Sequence, residues 1–228
     1  SITTPEGFIT AEWFSWVPAL LAAVAIALGT AAIAGEERDG TLELTLAMPV
    51  SRSRVLLEKT AALATGLVVT VVVTFPAFLI AMPLGDISIP AERIAAALGL
   101  TALLALNFLA LALWLSALLP SRRVAAVAAA GVLVGSYFIN TLGASVPGLE
   151  DWRSATPLYW ADASLPLTGS VDWWRVGLLI AGPPVLLALA GDAFARRELG
   201  SGRIALPRLP RRRASGTLAS RPGPRGPG

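Results

Sequence analysis

The run IAAALGLTALLALNFLALALWLSALL, from Ile94 to Leu119, contains no charged side chain and a single amide, Asn107. A helix rising about 1.5 Å per residue needs about 20 apolar residues to cross a hydrocarbon core about 30 Å thick, so this run can span a bilayer. Each Asp, Lys or Arg at mid-bilayer costs about 2.5 to 3.5 kcal/mol on insertion, which gives the missing charges their weight. Three further windows meet the same test: Trp13 to Ala34, Thr60 to Leu84, and Val124 to Gly143. A fifth, Val176 to Gly191, is free of charge over 16 residues and carries Pro183 and Pro184. Trp173, Trp174 and a snorkelling Arg175 extend it at one end, and Phe194 and Ala195 extend it past Asp192 at the other, giving a span over about 174–195. The expected fold is an all-α integral membrane protein, a polytopic helical bundle with five visible transmembrane helices.

Composition agrees with the windows. The 228 residues are 55% hydrophobic and 14% charged, with a mean hydropathy of +0.68, whereas soluble domains carry about 25% charged residues. A soluble protein of this size needs a charged surface, so lipid has to cover much of this one. There is no cysteine and no histidine. This excludes disulfides, thiolate or imidazole metal sites and His-activated nucleophiles, and with them most membrane enzymes. No G-x-x-x-x-G-K-[ST] run is present, and Lys59, the sole lysine, follows Glu58 without upstream glycines at that spacing. The chain is therefore expected to bind no ATP or other cofactor of its own. No span carries a carboxylate near its middle, which argues against a carrier driven by protons or sodium.

Positive charge sets the orientation. Arg38, Arg52, Arg54, Lys59, Arg122, Arg123 and the residues from Arg196 onward account for 15 of the 18 basic residues, and five spans put all of them on one side, the cytoplasm. The other side keeps Arg93, Arg153 and Arg175 and collects Trp13, Trp16, Trp152, Tyr159, Trp160, Trp173 and Trp174, as an interfacial aromatic belt does. Between the last two spans the outer loop 144–172 mixes Trp, Tyr, Pro and acidic residues, a pattern for interfacial loop or short re-entrant helices whose aromatics serve as anchors. The stretch PRLPRRRASGTLASRPGPRGPG ends the chain and makes 201–228 an expected disordered basic tail on the cytoplasmic face, solvated rather than bound to nucleic acid. The N-terminus falls outside with no signal peptide, and residue 1 is Ser. A further span before Ser1 is therefore expected in the native protein.

The most specific segment, 35–59, lies between the first two spans and reads GEERDGTLELTLAMPVSRSRVLLEK. Asp39 or Thr41 can cap a short helix running to about Met48, with Glu43 near its positive end. Pro49 breaks it, and Ser51 can cap a second helix that enters the membrane through Val55, Leu56 and Leu57. Leu42, Leu44 and Leu46 alternate as in a strand while Leu42 and Leu46 share a helical face; an isolated strand at a membrane surface leaves its edges unpaired, so a helix is expected.

On these residues the chain resembles the ABC-2 type transporter permeases, whose cytoplasmic loop after the second span carries an acidic, Gly-Thr-Leu-Glu-Leu, Pro-Val-Ser-Arg stretch. The matching positions are Glu36, Glu37, Arg38, Gly40, Thr41, Leu42, Glu43, Leu44, Pro49, Val50, Ser51 and Arg52, with Leu46 inside the same turn. An Ala-Arg-Arg-Glu-Leu-Gly exit at Ala195 to Gly200 extends the likeness. The resemblance implies six spans, of which the first would precede Ser1, and a short coupling helix that docks on cassette ATPase subunits. It also implies a second permease half, identical or different, a bacterial cell membrane, and ATP with Mg held by the partner ATPase. The function so implied is the permease subunit of an exporter; a noncatalytic membrane scaffold or assembly factor is the alternative.

Asn107 in the third span and Asn140 in the fourth are the notable polar residues at depth. Each can hydrogen-bond a substrate on a translocation path or tie helices together. Gly131 and Gly135 form a G-x-x-x-G pair that suits close helix contact, within the protomer or across a dimer. Pro76, Pro183 and Pro184 are expected to bend their helices.

The lack of cysteine makes the orientation directly testable. Single cysteines are introduced as Gly148→Cys in the outer loop and Ser121→Cys between the third and fourth spans. An impermeant maleimide should label the first in intact cells and the second only after lysis; the reverse pattern overturns the orientation.

Overall fold

The computed structural model describes residues 4–32, 52–85, 87–143, 145–146, 148–167 and 171–196. These form α1 (Pro5–Ile9), a π turn (Thr10–Phe14), α2 (Val17–Thr30), α3 (Arg52–Leu84), α4 (Ala91–Leu118), α5 (Arg122–Leu142), the short α6 (Glu150–Arg153) and α7 (Pro157–Ala163), and α8 (Trp173–Arg196). No strand occurs among the described residues. Among the described residues, five helical stretches are long and apolar enough to cross a membrane: Pro5–Thr30, Arg54–Leu84, Ala91–Leu118, Arg122–Leu142 and Trp173–Ala193. The protein is thus an all-α polytopic membrane protein. Residues 33–51, with most of the expected coupling segment, and the expected tail at 201–228 lie outside the described residues.

Helices run past the charge-free windows because their ends are capped. The Thr4 hydroxyl accepts from the Gly7 N–H at 3.2 Å and Pro5 opens the first turn, so helix begins before Trp13. The π turn then admits Glu12 at an exposed position while Ile9 and Phe14 stay buried. Ser121 caps α5 in the same manner, accepting from the Val124 N–H at 3.3 Å. The outer loop holds α6 and α7, the latter opened by Thr156 as cap and by Pro157.

α4 is the central helix. In its most apolar window 67% is buried, against 33% or less in the other four spans. It packs against α2 and α8 and also touches α3, α5 and α7. Lipid tails are as apolar as leucine, so close packing and interhelical hydrogen bonds have to hold such a bundle together. Both are visible on α4. A β-carbon added at Gly29 of α2 would lie 2.9 Å from Ala112 Cβ and 3.1 Å from the Leu109 carbonyl, so only glycine permits that approach. Gly131 and Gly135, by contrast, have no neighbour among the described residues within 4 Å that an added β-carbon would meet. Among those residues the G-x-x-x-G face makes no close helix contact within the protomer.

The hydrogen bond is made by Asn107, which is buried at 5% exposure. Its amide nitrogen donates to the Leu103 carbonyl at 2.9 Å and, across to α8, to the Leu179 carbonyl at 2.8 Å. Leu179 needs that donor. Its helical partner would be the N–H four residues on, and Pro183 stands there inside α8 without one. In hydrocarbon no water can replace the missing bond, so α4 supplies it. Gly182 makes room, since any side chain there would run into the Asn107 carbonyl oxygen.

At the end of the bundle that carries most of the arginines, Lys59 Nζ donates to the Ala32 carbonyl at 2.9 Å. A cation thus meets the carbonyl end of α2, where the helix dipole favours it. This bond joins α3 to the end of α2 at the base of segment 33–51.

Asn107→Ala should destabilise the protein, and Pro183→Ala should remove much of that cost by restoring an N–H to Leu179. A double-mutant cycle read by thermal unfolding in detergent should give a coupling of about 1 kcal/mol. Strictly additive effects would show that the amide does not serve the orphaned carbonyl.

Candidate functional site

A cavity of about 390 Å³ opens at the aromatic end of the bundle. Phe14, Ser15, Pro18 and Ala19 of the π turn and α2 line one wall, and Leu100, Thr101 and Leu104 of α4 another. Tyr137, Asn140 and Thr141 from the last turns of α5 face them, and Arg153, Leu158, Ala161, Asp162 and Leu165 of the outer segment complete it. Leu104 lies about 20 Å along the axis from Ala91, at about the middle of α4, so the cavity reaches deep into the membrane-spanning part.

The polar side chains gather around Asn140. Its amide oxygen accepts from Arg153 Nη2 at 3.4 Å and its amide nitrogen donates to Asp162 Oδ2 at 3.4 Å. No ion pair joins Arg153 to Asp162 among the described residues. Arg153 is seated by Gly143, where a side chain would run into its stem, and its guanidinium lies 4.7 Å from the centre of the Tyr159 ring. Arg175, ion-paired with Asp172 at 2.7 Å, approaches the same ring at 4.9 Å. Cation–π contacts of this kind contribute about 0.5 to 1 kcal/mol at exposed sites and more when desolvated. Arg153 Nε is itself buried with no hydrogen-bond acceptor among the described residues.

The two asparagines singled out from the sequence have different surroundings. Asn140 lines the cavity, whereas Asn107 does not and is committed to the Leu103 and Leu179 carbonyls. Of the coupling residues, Glu36, Glu37, Arg38, Gly40, Thr41, Leu42, Glu43, Leu44, Leu46, Pro49 and Ser51 lie outside the described residues, and Arg52 opens α3. Beyond Arg52, Val55 and Leu56 are buried, while Arg54 and Glu58 pair at 2.8 Å in the open. Such an exposed pair adds at most a few tenths of a kcal/mol.

Sequence reasoning missed Arg153, Asp162 and Tyr137. The available signal was a basic and an acidic residue within an aromatic segment on the side that is poor in positive charge. The aromatics themselves divide: Trp152, Trp173 and Trp174 are exposed as anchors are, but Trp160 donates to the Ser154 carbonyl at 2.6 Å and packs on the core.

The family model described as ABC-2 family transporter protein matches residues 2–199. The chain belongs to that family. It is a multi-pass membrane protein and a permease of an ABC transporter. Permeases of this family are generally noncatalytic transmembrane components, and membership implies an ABC ATPase subunit as partner. A comparison with curated proteins gives no match.

In this permease the Tyr159 ring holds α7 against two guanidinium groups. Tyr159→Leu should loosen α6 and α7, raising amide exchange across 150–163 about fivefold, the equivalent of about 1 kcal/mol, while Tyr159→Phe keeps the ring and the parent rate. Equal exchange in all three proteins would show that the ring carries no such load.

Proposed function

We propose that the permease is the membrane-spanning half of an ATP-driven exporter in the bacterial cell membrane. It pairs with a second permease half, identical or different, to enclose a translocation path surrounded by lipid. Two cassette ATPase subunits on the cytoplasmic face bind ATP and Mg and drive alternate opening. The family match over residues 2–199 is the observation that carries this reading. The segment 35–59 docks on the ATPase, with Leu42, Leu44 and Leu46 at the apolar centre of contact. Glu36, Glu37 and Arg38 act as a polar rim that orients the contact, and Gly40, Thr41, Glu43, Pro49, Ser51 and Arg52 belong to the same docking segment. The Lys59 to Ala32 bond supports this role because it ties both helices that flank the segment at its base. The cavity beside Asn140 forms part of the path, and Asn107 keeps α4 and α8 together beside it.

The test separates docking from folding. The spans insert because of their apolar area, at about 25 cal/mol per Å² buried, so changes confined to the segment leave insertion intact. Replacing Leu42, Leu44 and Leu46 together by Ser should keep membrane yield normal and abolish ATPase co-purification and export, since apolar anchors at an interface commonly cost about 1 to 2 kcal/mol each. Single charge reversals at Glu36 or Arg38 should act more weakly and in a salt-dependent way. Unchanged ATPase binding by the triple variant would make the segment a simple connector. Normal ATPase binding without any exported substrate would favour a scaffold.

A further inference from the structure

The head of the cavity has an electrostatic pattern that selects among ligands. Arg153 and Asp162 stand on either side of one amide, each 3.4 Å from Asn140, and are not paired with each other. A ligand carrying only an anion would meet the guanidinium but stand beside the Asp162 carboxylate. A ligand carrying only a cation would meet the carboxylate beside the guanidinium. Like charges brought together in this way disfavour binding, so a head with one group of each sign fits best. Arg153 also has capacity to spare, because among the described residues its guanidinium is bonded only through Nη2, to Asn140, and its contact with Tyr159 leaves the edge of the group to make hydrogen bonds.

Away from this head the cavity is walled by Phe14, Pro18, Ala19, Leu100 and Leu104, and by Ser15 and Thr101, whose hydroxyls donate to the Thr10 and Ala97 carbonyls. Its volume of about 390 Å³ is near the lower end of the range of about 300–1,000 Å³ for small-ligand pockets, room for a small head and the first part of one chain.

We infer that the cavity binds a single-chain amphiphile with a zwitterionic head, its anionic group on Arg153, its cationic group on Asp162, and its chain between α2 and α4. Asn140 keeps the two charged side chains apart and so sets the spacing of the head groups. The inference deepens the reading of the cavity as part of the export path and rests on it for its biological meaning. Binding itself requires no ATPase.

The experiment measures binding to the full chain in maltoside micelles by titration and by native mass spectrometry. The probes are dodecylphosphocholine, dodecyl phosphate and dodecyltrimethylammonium, which share a chain and differ in head charge. The zwitterion should bind once per chain and about tenfold more tightly than either singly charged probe. Arg153→Gln and Asp162→Asn should each weaken the zwitterion about tenfold, as expected for loss of a charged hydrogen bond. Asp162→Asn should also strengthen binding of the phosphate, and Arg153→Gln binding of the ammonium. Equal affinities for the three probes, or parental affinity in both variants, would overturn the inference. If Arg153→Gln does not fold, Asp162→Asn at its exposed position and the selectivity of the parent carry the test. Binding as expected without stimulated ATPase or export would separate this site from the exporter reading, and export without selective binding would do the converse.

Discussion

A proline in a membrane helix creates a debt of one hydrogen bond, and in this permease the settlement of that bond organises the bundle. Pro183 withholds the donor that the Leu179 carbonyl would use, and Asn107 provides one from the central helix at 2.8 Å. Hydrocarbon offers no substitute donor, so the pairing fixes both partners at once. It sets which face of α8 meets α4, and it requires glycine at position 182, where the amide oxygen occupies the space of a side chain. The register of α8 on α4 thus follows from a single polar contact, with Leu104, Phe108, Val176 and Leu179 packing around it.

The cavity belongs to the same packing scheme. α2 and α4 touch closely where Gly29 meets Ala112, and the same two helices line the cavity farther along, at Pro18 and Ala19 on one and Leu100 and Leu104 on the other. Short helices α6 and α7 bring charged groups to this opening, and two arginines gathered about Tyr159 hold them there. Rigid contact at one end and an opening lined by polar side chains at the other are the usual ingredients of a binding site between helices.

Spans and fold class were legible because the rule behind them is one of solvent: twenty apolar residues without charge admit few other fates. The Gly-Thr-Leu-Glu-Leu and Pro-Val-Ser-Arg stretches gave the family, and the match over residues 2–199 agrees. Lateral packing was much less legible. In a soluble helix the apolar stripe marks the core, but here the lipid face is apolar as well, so periodicity does not tell Leu104, buried, from Val72, exposed. The glycine motif at Gly131 and Gly135, suited to contact within the protomer or across a dimer, meets no neighbour among the described residues, while Gly29, Gly143 and Gly182, with no motif, are pressed against one. Asn107 stood out in sequence; its partner, 72 residues away, did not, since nothing local links an amide to a carbonyl orphaned by a distant proline. Arg153 was hidden for another reason. It counted toward orientation as one of the few positive charges on its side, and counting charges says nothing of the ring or the amide each one meets.

The bond from Lys59 to Ala32 has a mechanical meaning. It closes the connection between α2 and α3 into a loop with a pinned base, so a load applied to residues 33–51 reaches both helices together. α2 runs from that base to the cavity. Gly29 meets Ala112 near the base, Ala22 and Ile26 pack into the core farther along, and Pro18 and Ala19 stand in the cavity wall. A helix held along its length moves as one body, so its two ends cannot shift independently. The loop and the cavity wall are in this way the two ends of a single rod.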